Sequence, residues 1–346
     1  MTADPRRDED THLVSVVVPV YRGEQTLAVL LGEILTLTKP FVTPNGHDAR
    51  IAEVLLVHDH GPDQSARVIR DLAARYDVVR PVWLSRNFGQ HAATLAGMAS
   101  SGGDWIVTLD EDGQHDPAEI GAMLDIALSH QATVVYAEPV NNPPHGVVRN
   151  AASHGAKWLI DKLVGGEASS VYHSYRLVLG EVGRSVAAYA GAGVYLDIAL
   201  GWVAGEVATC PVRLRDEADR PSGYNLRTLA SHFWRMVLTS GTRLLRVVSV
   251  LGVAFALFGL IVALVLVINR FTENDIMPGW TSVIVVVLLS TGAMLFSLGI
   301  VAEYLGVAVN MAMGKPLYLI VGDPQDGPLG RHTSAESTRR AESSGV

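Results

Sequence analysis

Cysteine is almost missing from this chain. Cys210 stands alone, which excludes an intrachain disulfide framework and a cysteine-based zinc site and leaves it to read as a small apolar residue. Positive charge is also short. Against 35 Asp and Glu there are 27 Lys and Arg, a formal net charge of -8, so the chain is not expected to bind nucleic acid through a general basic surface. The polar stretch from Met1 to His12 has no apolar run after its arginine pair, so no secretory signal is expected there and the domain that follows is expected in the cytoplasm. Charged residues make up only 18% of the 346, hydrophobic ones 49%, and the mean hydropathy is +0.25. That balance is high for a purely soluble protein and directs attention to a membrane part.

Two long apolar runs supply it. Val247 to Ile268 and Gly279 to Val301 contain no charged residue, and each is long enough to cross a hydrocarbon core of about 30 Å as a helix. The polar connector from Asn269 to Pro278 is short, so the pair reads as an antiparallel hairpin with both ends on one side. Arg243 and Arg246 precede the first run and Lys315 follows the second, whereas the connector carries one Arg with Glu273 and Asp275. The excess of positive charge on the outer flanks places the large domain and the C terminus in the cytoplasm. Before the hairpin, Asn225 to Arg246 mixes Leu226, Leu229, Phe233, Trp234, Met236 and Val237 with Arg227, Arg235, Arg243 and Arg246. This composition predicts a basic interfacial helix on anionic lipid. After Gly322 the chain turns to Gly, Pro, Ser, Thr and charges, as a disordered tail does.

The first half alternates β-rich and helical patterns. Leu13 to Val20, Glu53 to His58, Val79 to Leu84 and Trp105 to Leu109 are short β-branched runs, separated by helical spacing at Gln64 to Ala74 and Gln90 to Ser100. Such alternation predicts an α/β domain with a mostly parallel sheet covered on both faces. Ligands of open sheets of this class sit at the carboxyl ends of the strands, so chemistry is expected just after those runs. The strongest candidate lies there. The apolar run ending at Leu109 breaks into Asp110, Glu111, Asp112, Gly113, Gln114, His115 and Asp116. Residues two apart in extended chain face the same way, so Asp110 and Asp112 are candidates to share one hard cation, with Gln114 on the same face. Magnesium or manganese shared with a substrate diphosphate suits an all-oxygen donor set. Arg149 and Ser153 lie one helical turn apart, with Lys157 one turn further, a spacing that can grip a phosphate.

Several of these segments, in this order, resemble family 2 glycosyltransferases: Val14 to Tyr21, the strand ending at Val57, His58 and Asp59, the Arg86 to Gln90 segment, and the Asp110 to Gln114 run. Gly299 to Gly306, followed by Lys315, Pro316, Leu317 and Tyr318, is similar to the polyprenyl-phosphate branch of that family, which includes bactoprenol glucosyl and dolichol-phosphate mannosyl enzymes. The resemblance implies a GT-A (Rossmann-like) domain. Its expected organisation is a disordered N terminus over 1–12, the cytoplasmic glycosyltransferase domain over 13–224 and an amphipathic helix over 225–246. Transmembrane helices over 247–268 and 279–301, a cytoplasmic segment over 302–321 and a disordered tail over 322–346 follow.

The resemblance further implies roles. Pro19, Val20, Tyr21, Asp59, Asn87, Gln90, Asp110 and Glu111 bind the nucleotide sugar; Asp110, Asp112 and Gln114 bind metal; Arg149 and Ser153 bind the acceptor phosphate. Asp112, Arg149, Arg215 and Arg220 are the residues expected to carry catalysis, the arginines near Ser222 by resembling a loop that closes over the diphosphate. The chain departs from the family's pattern at His58 and at His60-Gly61, and Ser174-Tyr175-Arg176-Leu177 lacks the acid of the family's Asp-Phe-Arg-Leu. The implied reaction moves a sugar from a nucleotide donor to a polyprenyl phosphate with inversion. Extension of a glycan or another lipid, and a non-catalytic membrane scaffold, are the alternatives, and a homo-oligomer is left open.

Overall fold

The computed structural model describes residues 11–140, 173–191, 194–215, 279–314 and 316–328, with scattered helical positions between 248 and 268. The contacts divide the chain into two units: residues 1–150, 170–223 and 316–346 form one, residues 151–169 and 224–315 the other.

The first unit is built on a 9-stranded sheet in the order β8-β6-β7-β5-β1-β3-β4-β9, with β2 paired to β3. Its strands are β1 (His12–Val20), β2 (Phe41–Val42), β3 (Asp48–His58), β4 (Val79–Leu84), β5 (Trp105–Thr108), β6 (Ala132–Pro139), β7 (Arg176–Leu179), β8 (Glu206–Val212) and β9 (Ile320–Val321). The centre β5-β1-β3-β4 is parallel throughout. β7 runs against both β5 and β6, so β6, and β8 parallel to it, point the same way as that centre. Only β2, β7 and β9 run against the rest. The expected mostly parallel sheet is therefore present, with a reversed strand set into it.

Central strands buried on both faces must be apolar nearly throughout, and Val14 to Val20 of β1 are all buried. Alternation sends Val16, Val18 and Val20 to one side of the sheet and Val17 to the other. On the first side pack α1 (Leu27–Leu35), α2 (Ser65–Arg75) and α4 (Ile120–His130), through Leu30, Ile34, Ile69 and Met123. On the second pack α3 (Gln90–Ser100), α5 (Gly180–Tyr189) and α6 (Leu196–Val203), through Leu95, Met98, Val186 and Leu200.

Two buried carboxylates fix the frame away from the carboxyl edge. Glu53 accepts from Ser15 Oγ at 2.7 Å and the Gly102 amide at 2.5 Å, and pairs with Arg80. Asp125 of α4 accepts from Thr43 Oγ1 at 2.5 Å and the Asn45 amide at 2.8 Å, and meets His47 Nδ1 at 2.8 Å. These bonds lock the β2–β3 turn onto the helix layer.

In the second unit, α7 runs Trp280–Ala312, 33 residues. Its stretch Leu289–Val309 is long and apolar enough to cross a membrane, with only 6% of its most apolar window buried. Leu289, Leu295, Phe296, Leu298 and Leu305 are all exposed, and a helix that shows such side chains to its surroundings matches lipid rather than water. The helix continues past Val301, where the expected span ended, through Glu303 and Tyr304 to Ala312; at 1.5 Å per residue it reaches about 50 Å. One charged residue costs a long apolar helix too little to end it. The first expected span, 247–268, is helical at its described positions, but its course as a whole and the amphipathic helix 225–246 lie outside the described residues, so the two-helix hairpin is not established.

Ile320–Val321, at the end of the expected segment 302–321, pairs antiparallel with β4, Val321 opposite Trp83 and Ile320 opposite Leu84. The tail expected to be disordered from 322 is ordered at its start: Asp323 forms a two-bond ion pair with Arg70, at 2.6 and 2.7 Å, which holds the chain to α2. At the other end, β1 takes in His12, which had been assigned to the disordered N terminus.

Candidate active site

The carboxyl ends of β1, β3, β4 and β5 share one edge of the sheet, because these strands are parallel and adjacent. The loops after them therefore meet. β5 ends at Thr108, and its next residues turn into the acidic run around a left-handed Gly113. Asp110 stands at the centre of the described contacts. Its Oδ1 accepts from Gln90 Nε2 at 2.6 Å, and its Oδ2 accepts from Ser174 Oγ at 2.6 Å. Its amide donates to His115 Nδ1 at 3.1 Å, and an accepting Nδ1 puts the proton of the neutral ring on Nε2, which lies 3.9 Å from Asp110 Oδ2. Burial pushes the His115 ring below its usual value, with Arg176 adding to the effect and Asp110 and Asp112 opposing it. The ring stacks on Tyr175 at 4.9 Å, and the Tyr175 hydroxyl, its acidity suppressed by burial, donates to the Asp116 carbonyl at 2.7 Å.

Ser174 takes the place of an acid in the resembling pattern, and its surroundings explain how a hydroxyl serves there. Its backbone carbonyl accepts from Thr108 Oγ1 and, at 3.4 Å, from Arg176 Nε, which fixes the position from which the side chain donates to Asp110. Arg176 is itself buried in an ion pair with Asp197, whose carboxylate also takes the Tyr136 hydroxyl at 3.1 Å. Nothing in the periodicity or spacing marks Asp197 or Tyr136, because their part is set by helix α6 folding back beside β7.

The other expected residues are placed as follows. Asp59, at the end of β3, is buried, and its two oxygens accept the amides of Phe88 and Gly89 at 2.7 and 2.8 Å. Burial pushes its carboxyl above the ordinary value, and those two bonds offset only part of the rise. Its visible work is to hold the β4–α3 loop, which contains Asn87 and leads to Gln90. Glu111 does the same for the β1–α1 loop, accepting from the amides of Tyr21 at 3.0 Å and Arg22 at 2.9 Å. Pro19 and Val20 complete β1, and Tyr21 is partly exposed where that strand ends. Between the two loops, Gly61 lies so close to Tyr21 that an added Cβ would sit 1.7 Å from its carbonyl oxygen. Gly89 has φ +91, a left-handed conformation that glycine adopts without a steric penalty.

Arg215 lies against the acidic loop. Its side chain bridges Glu33 at 2.7 Å and Asp116 at 2.8 Å, and its amide donates to the Gln114 carbonyl at 3.1 Å. Two carboxylates match its charge and tie it to the acidic loop. Arg149, Ser153, Lys157 and Arg220 lie outside the described residues.

The His58 ring lies beside Trp83, at 5.3 Å, and its Nε2 finds no hydrogen-bond partner among the described residues. Burial, with the His60 and Arg70 charges, lowers its basicity. Among the described residues no three His, Cys, Asp or Glu side chains come together as a metal cage. An oxygen-only set from Asp110 and Asp112 still fits a hard cation that takes its remaining ligands from a diphosphate and water.

Comparison with known proteins decides the family. The sequence pattern described as Glycosyl transferase family 2 matches residues 15–179. Undecaprenyl-phosphate 4-deoxy-4-formamido-L-arabinose transferase of Pseudomonas paraeruginosa is 30% identical over 322 residues, 89% of this chain and 89% of that protein. The chain belongs to glycosyl transferase family 2. The transferase of the same description from Edwardsiella ictaluri is 28% identical, covering 89% of this chain and 93% of its own. Among solved structures, the glucosyl-3-phosphoglycerate synthase of Mycobacterium tuberculosis, described in complex with Mn2+, UDP and glucosyl-3-phosphoglycerate, has 19% identity and a TM-score of 0.47 over 67% of this chain and 80% of that one. By its family this protein is a glycosyltransferase, its sheet is the mostly parallel, Rossmann-like one expected of a GT-A domain, and its acidic loop lies inside the matched region.

Proposed function

We propose that this transferase moves a sugar from a nucleotide-sugar donor to a polyprenyl phosphate of the undecaprenyl type at the cytoplasmic face of the cell membrane. The observation that carries the reading is the extent of the likeness. It covers 89% of this chain and 93% of a relative named for undecaprenyl phosphate, far more than the family 2 region 15–179. In this reading the chain crosses the membrane twice, with the catalytic domain and the C terminus in the cytoplasm. The apolar α7 supports a membrane site for the acceptor.

A phosphate monoester has a second pKa near ~6 and is already a largely ionised nucleophile at neutral pH, so the acceptor needs no dedicated general base. That agrees with a serine, rather than an acid, at position 174. Single displacement by the phosphate oxygen at the anomeric carbon inverts that centre and expels the nucleoside diphosphate. Asp110 and Asp112, with Gln114, would hold Mg2+ or Mn2+. When bound, such a cation neutralises charge on the diphosphate. Gln90 and Ser174 hold the Asp110 carboxylate in one orientation before the donor arrives, and Asp59 and Glu111 hold the two loops that flank it. Preorganisation of this kind lowers the barrier because nothing has to be reordered during the reaction. Arg149 and Ser153 are assigned to the acceptor phosphate. Arg215, which meets Asp116 on the acidic loop, and Arg220 are assigned to the leaving diphosphate.

The test is label transfer from a panel of nucleotide sugars to polyprenyl phosphate in purified membranes, with Mg2+ or Mn2+ and with Asp112→Ala in parallel. The sugar in the relatives' name heads the panel. The expected result is label in the lipid phase that requires the cation and is lost in Asp112→Ala. No lipid label from any donor, with donor binding intact, overturns the acceptor assignment and points to glycan extension.

A further inference from the structure

The segment after α7 returns to the catalytic sheet next to the donor loops, and its attachment is more elaborate than a two-residue strand needs to cover an edge. β9 pairs with β4, and the amide of Ser85, the first residue beyond β4, donates to the Leu319 carbonyl at 3.0 Å. Ser85 opens the loop of Arg86, Asn87, Phe88 and Gly89. The far end of that loop is held by Asp59, through the Phe88 and Gly89 amides, and by Gln90 on Asp110. The near end therefore rests on β9.

A strand of two residues has too few ladder bonds to hold itself in place. Its hold comes from either side. Leu317 and Tyr318 pack against the core on the α3 face. Beyond the strand, Asp323 receives Arg70 Nε at 2.6 Å and Nη2 at 2.7 Å, a fork-to-fork pair with side chains 23% and 17% exposed. Arg70 also lies over the Trp83 ring at 4.7 Å, and Trp83 is the residue opposite Val321. One guanidinium thus joins α2, β4 and the chain after β9. Planar bidentate pairs of this kind are the strong, orientation-specific ones.

We infer that the chain after α7 forms part of the donor site, with Asp323 acting through Arg70 and β9 as a positioning residue that holds the 85–90 loop ready to present Gln90 to Asp110. The inference rests on the proposed function only in taking that loop as a wall of the donor site. It makes the segment from Pro316 to Asp323 necessary for donor affinity, although it lies more than two hundred residues from the loop in sequence.

The experiment uses the full chain in lipid nanodiscs. Amide hydrogen exchange is followed at Ser85 to Gly89 in the wild type, Asp323→Asn and Asp323→Glu, with β1 amides as the internal standard for global stability. Removing the charge is expected to speed exchange at Ser85 by about tenfold, a loss of local protection of the size that one charged hydrogen bond supplies, with β1 unchanged. Asp323→Glu should recover most of it. In the transfer assay the same substitution should raise the donor KM several-fold and leave the acceptor KM unchanged. Exchange at Ser85 to Gly89 that is identical in wild type and Asp323→Asn overturns the inference, as does faster exchange with an unaltered donor KM. A wild-type protein that labels no lipid counts against the proposed acceptor alone, since the exchange measurement needs no acceptor.

Discussion

Asp110 is held from both sides, and removing the two holds separately and together tests whether that matters. Gln90 Nε2 and Ser174 Oγ each lie 2.6 Å from a different oxygen of the same carboxylate. Hydrogen bonds to a charged group are worth about 1.5–3 kcal/mol when fully protected. The Asp110 side chain is 25% exposed, so water replaces part of what is lost, and about 1–2 kcal/mol per bond is the better figure. Gln90→Ala or Ser174→Ala should then lower kcat/KM about tenfold each, because 1.4 kcal/mol is a factor of ten. The informative variant is the double. The carboxylate turns as one plane about its χ2 bond, and either donor alone stops that rotation. With both gone it is free, so the loss should exceed the product of the single losses by a coupling of about 0.5 kcal/mol or more. Ser174→Ala leaves the serine carbonyl with Thr108 and Arg176, so the β7 entry stays in place. The assay is initial-rate label transfer at limiting donor. A double variant no worse than the product of the singles, or a Ser174→Ala enzyme with wild-type kcat/KM, would refute the argument.

Arg215→Ala should cost about 1 kcal/mol of stability, kept small by partial exposure of the pair, together with a fall in kcat; Arg215→Lys should not restore both, since one ammonium does not reproduce a fork that spans Glu33 and Asp116. Thermal melting and transfer rates check this pair. Gly61→Ala should displace the Tyr21 backbone and abolish donor binding, at a stability cost of about 1–3 kcal/mol, measurable by calorimetry with nucleotide and by melting. Acid should destabilise the soluble domain in a defined way. Burial pulls the Asp125 carboxyl up, but Thr43, His47 and the Asn45 amide outweigh it and hold the group below its ordinary 3.8. Arg70 does the same for Asp323. A lowered folded value means stability that is present above about pH 4 and is lost as pH falls through the folded values. Asp59 has the opposite sign, since its raised value makes ionisation cost stability as pH rises past 3.8. Asp125→Asn should therefore flatten the acid limb of a melting-temperature profile, and Asp59→Asn should not.

The parallel sheet and its chemistry were legible in the residues because they rest on short-range rules. A β-branched run that ends in carboxylates marks a strand end in any fold of this class, and β1, β4 and β5 lie close to where the pattern put them. The start of β3 lies earlier than expected, at Asp48, because only alternate residues there, Ala49 and Ile51, reach the core, so the stretch has no continuous apolar run, while pairing with β1 and β2 extends the strand. β9 carried no such signal. Two residues have no periodicity, and Pro316 to Asp323 becomes ordered only because the exposed edge of β4 and Arg70 are there to receive it.

The apolar run that forms α7 and the acidic run from Asp110 are properties of the sequence by itself, since hydrophobicity and residue type do not depend on what the chain later touches. Which atoms those residues meet depended on the tertiary structure. The oxygens of Asp59 and Glu111 accept loop amides, and Arg215 meets two carboxylates, partners that no spacing in the sequence marks. The reason is that a buried or half-buried charge must be matched by whatever donors or counter-charges lie nearest. Those partners come from segments tens to hundreds of residues away, brought together only when the strands align at one edge of the sheet.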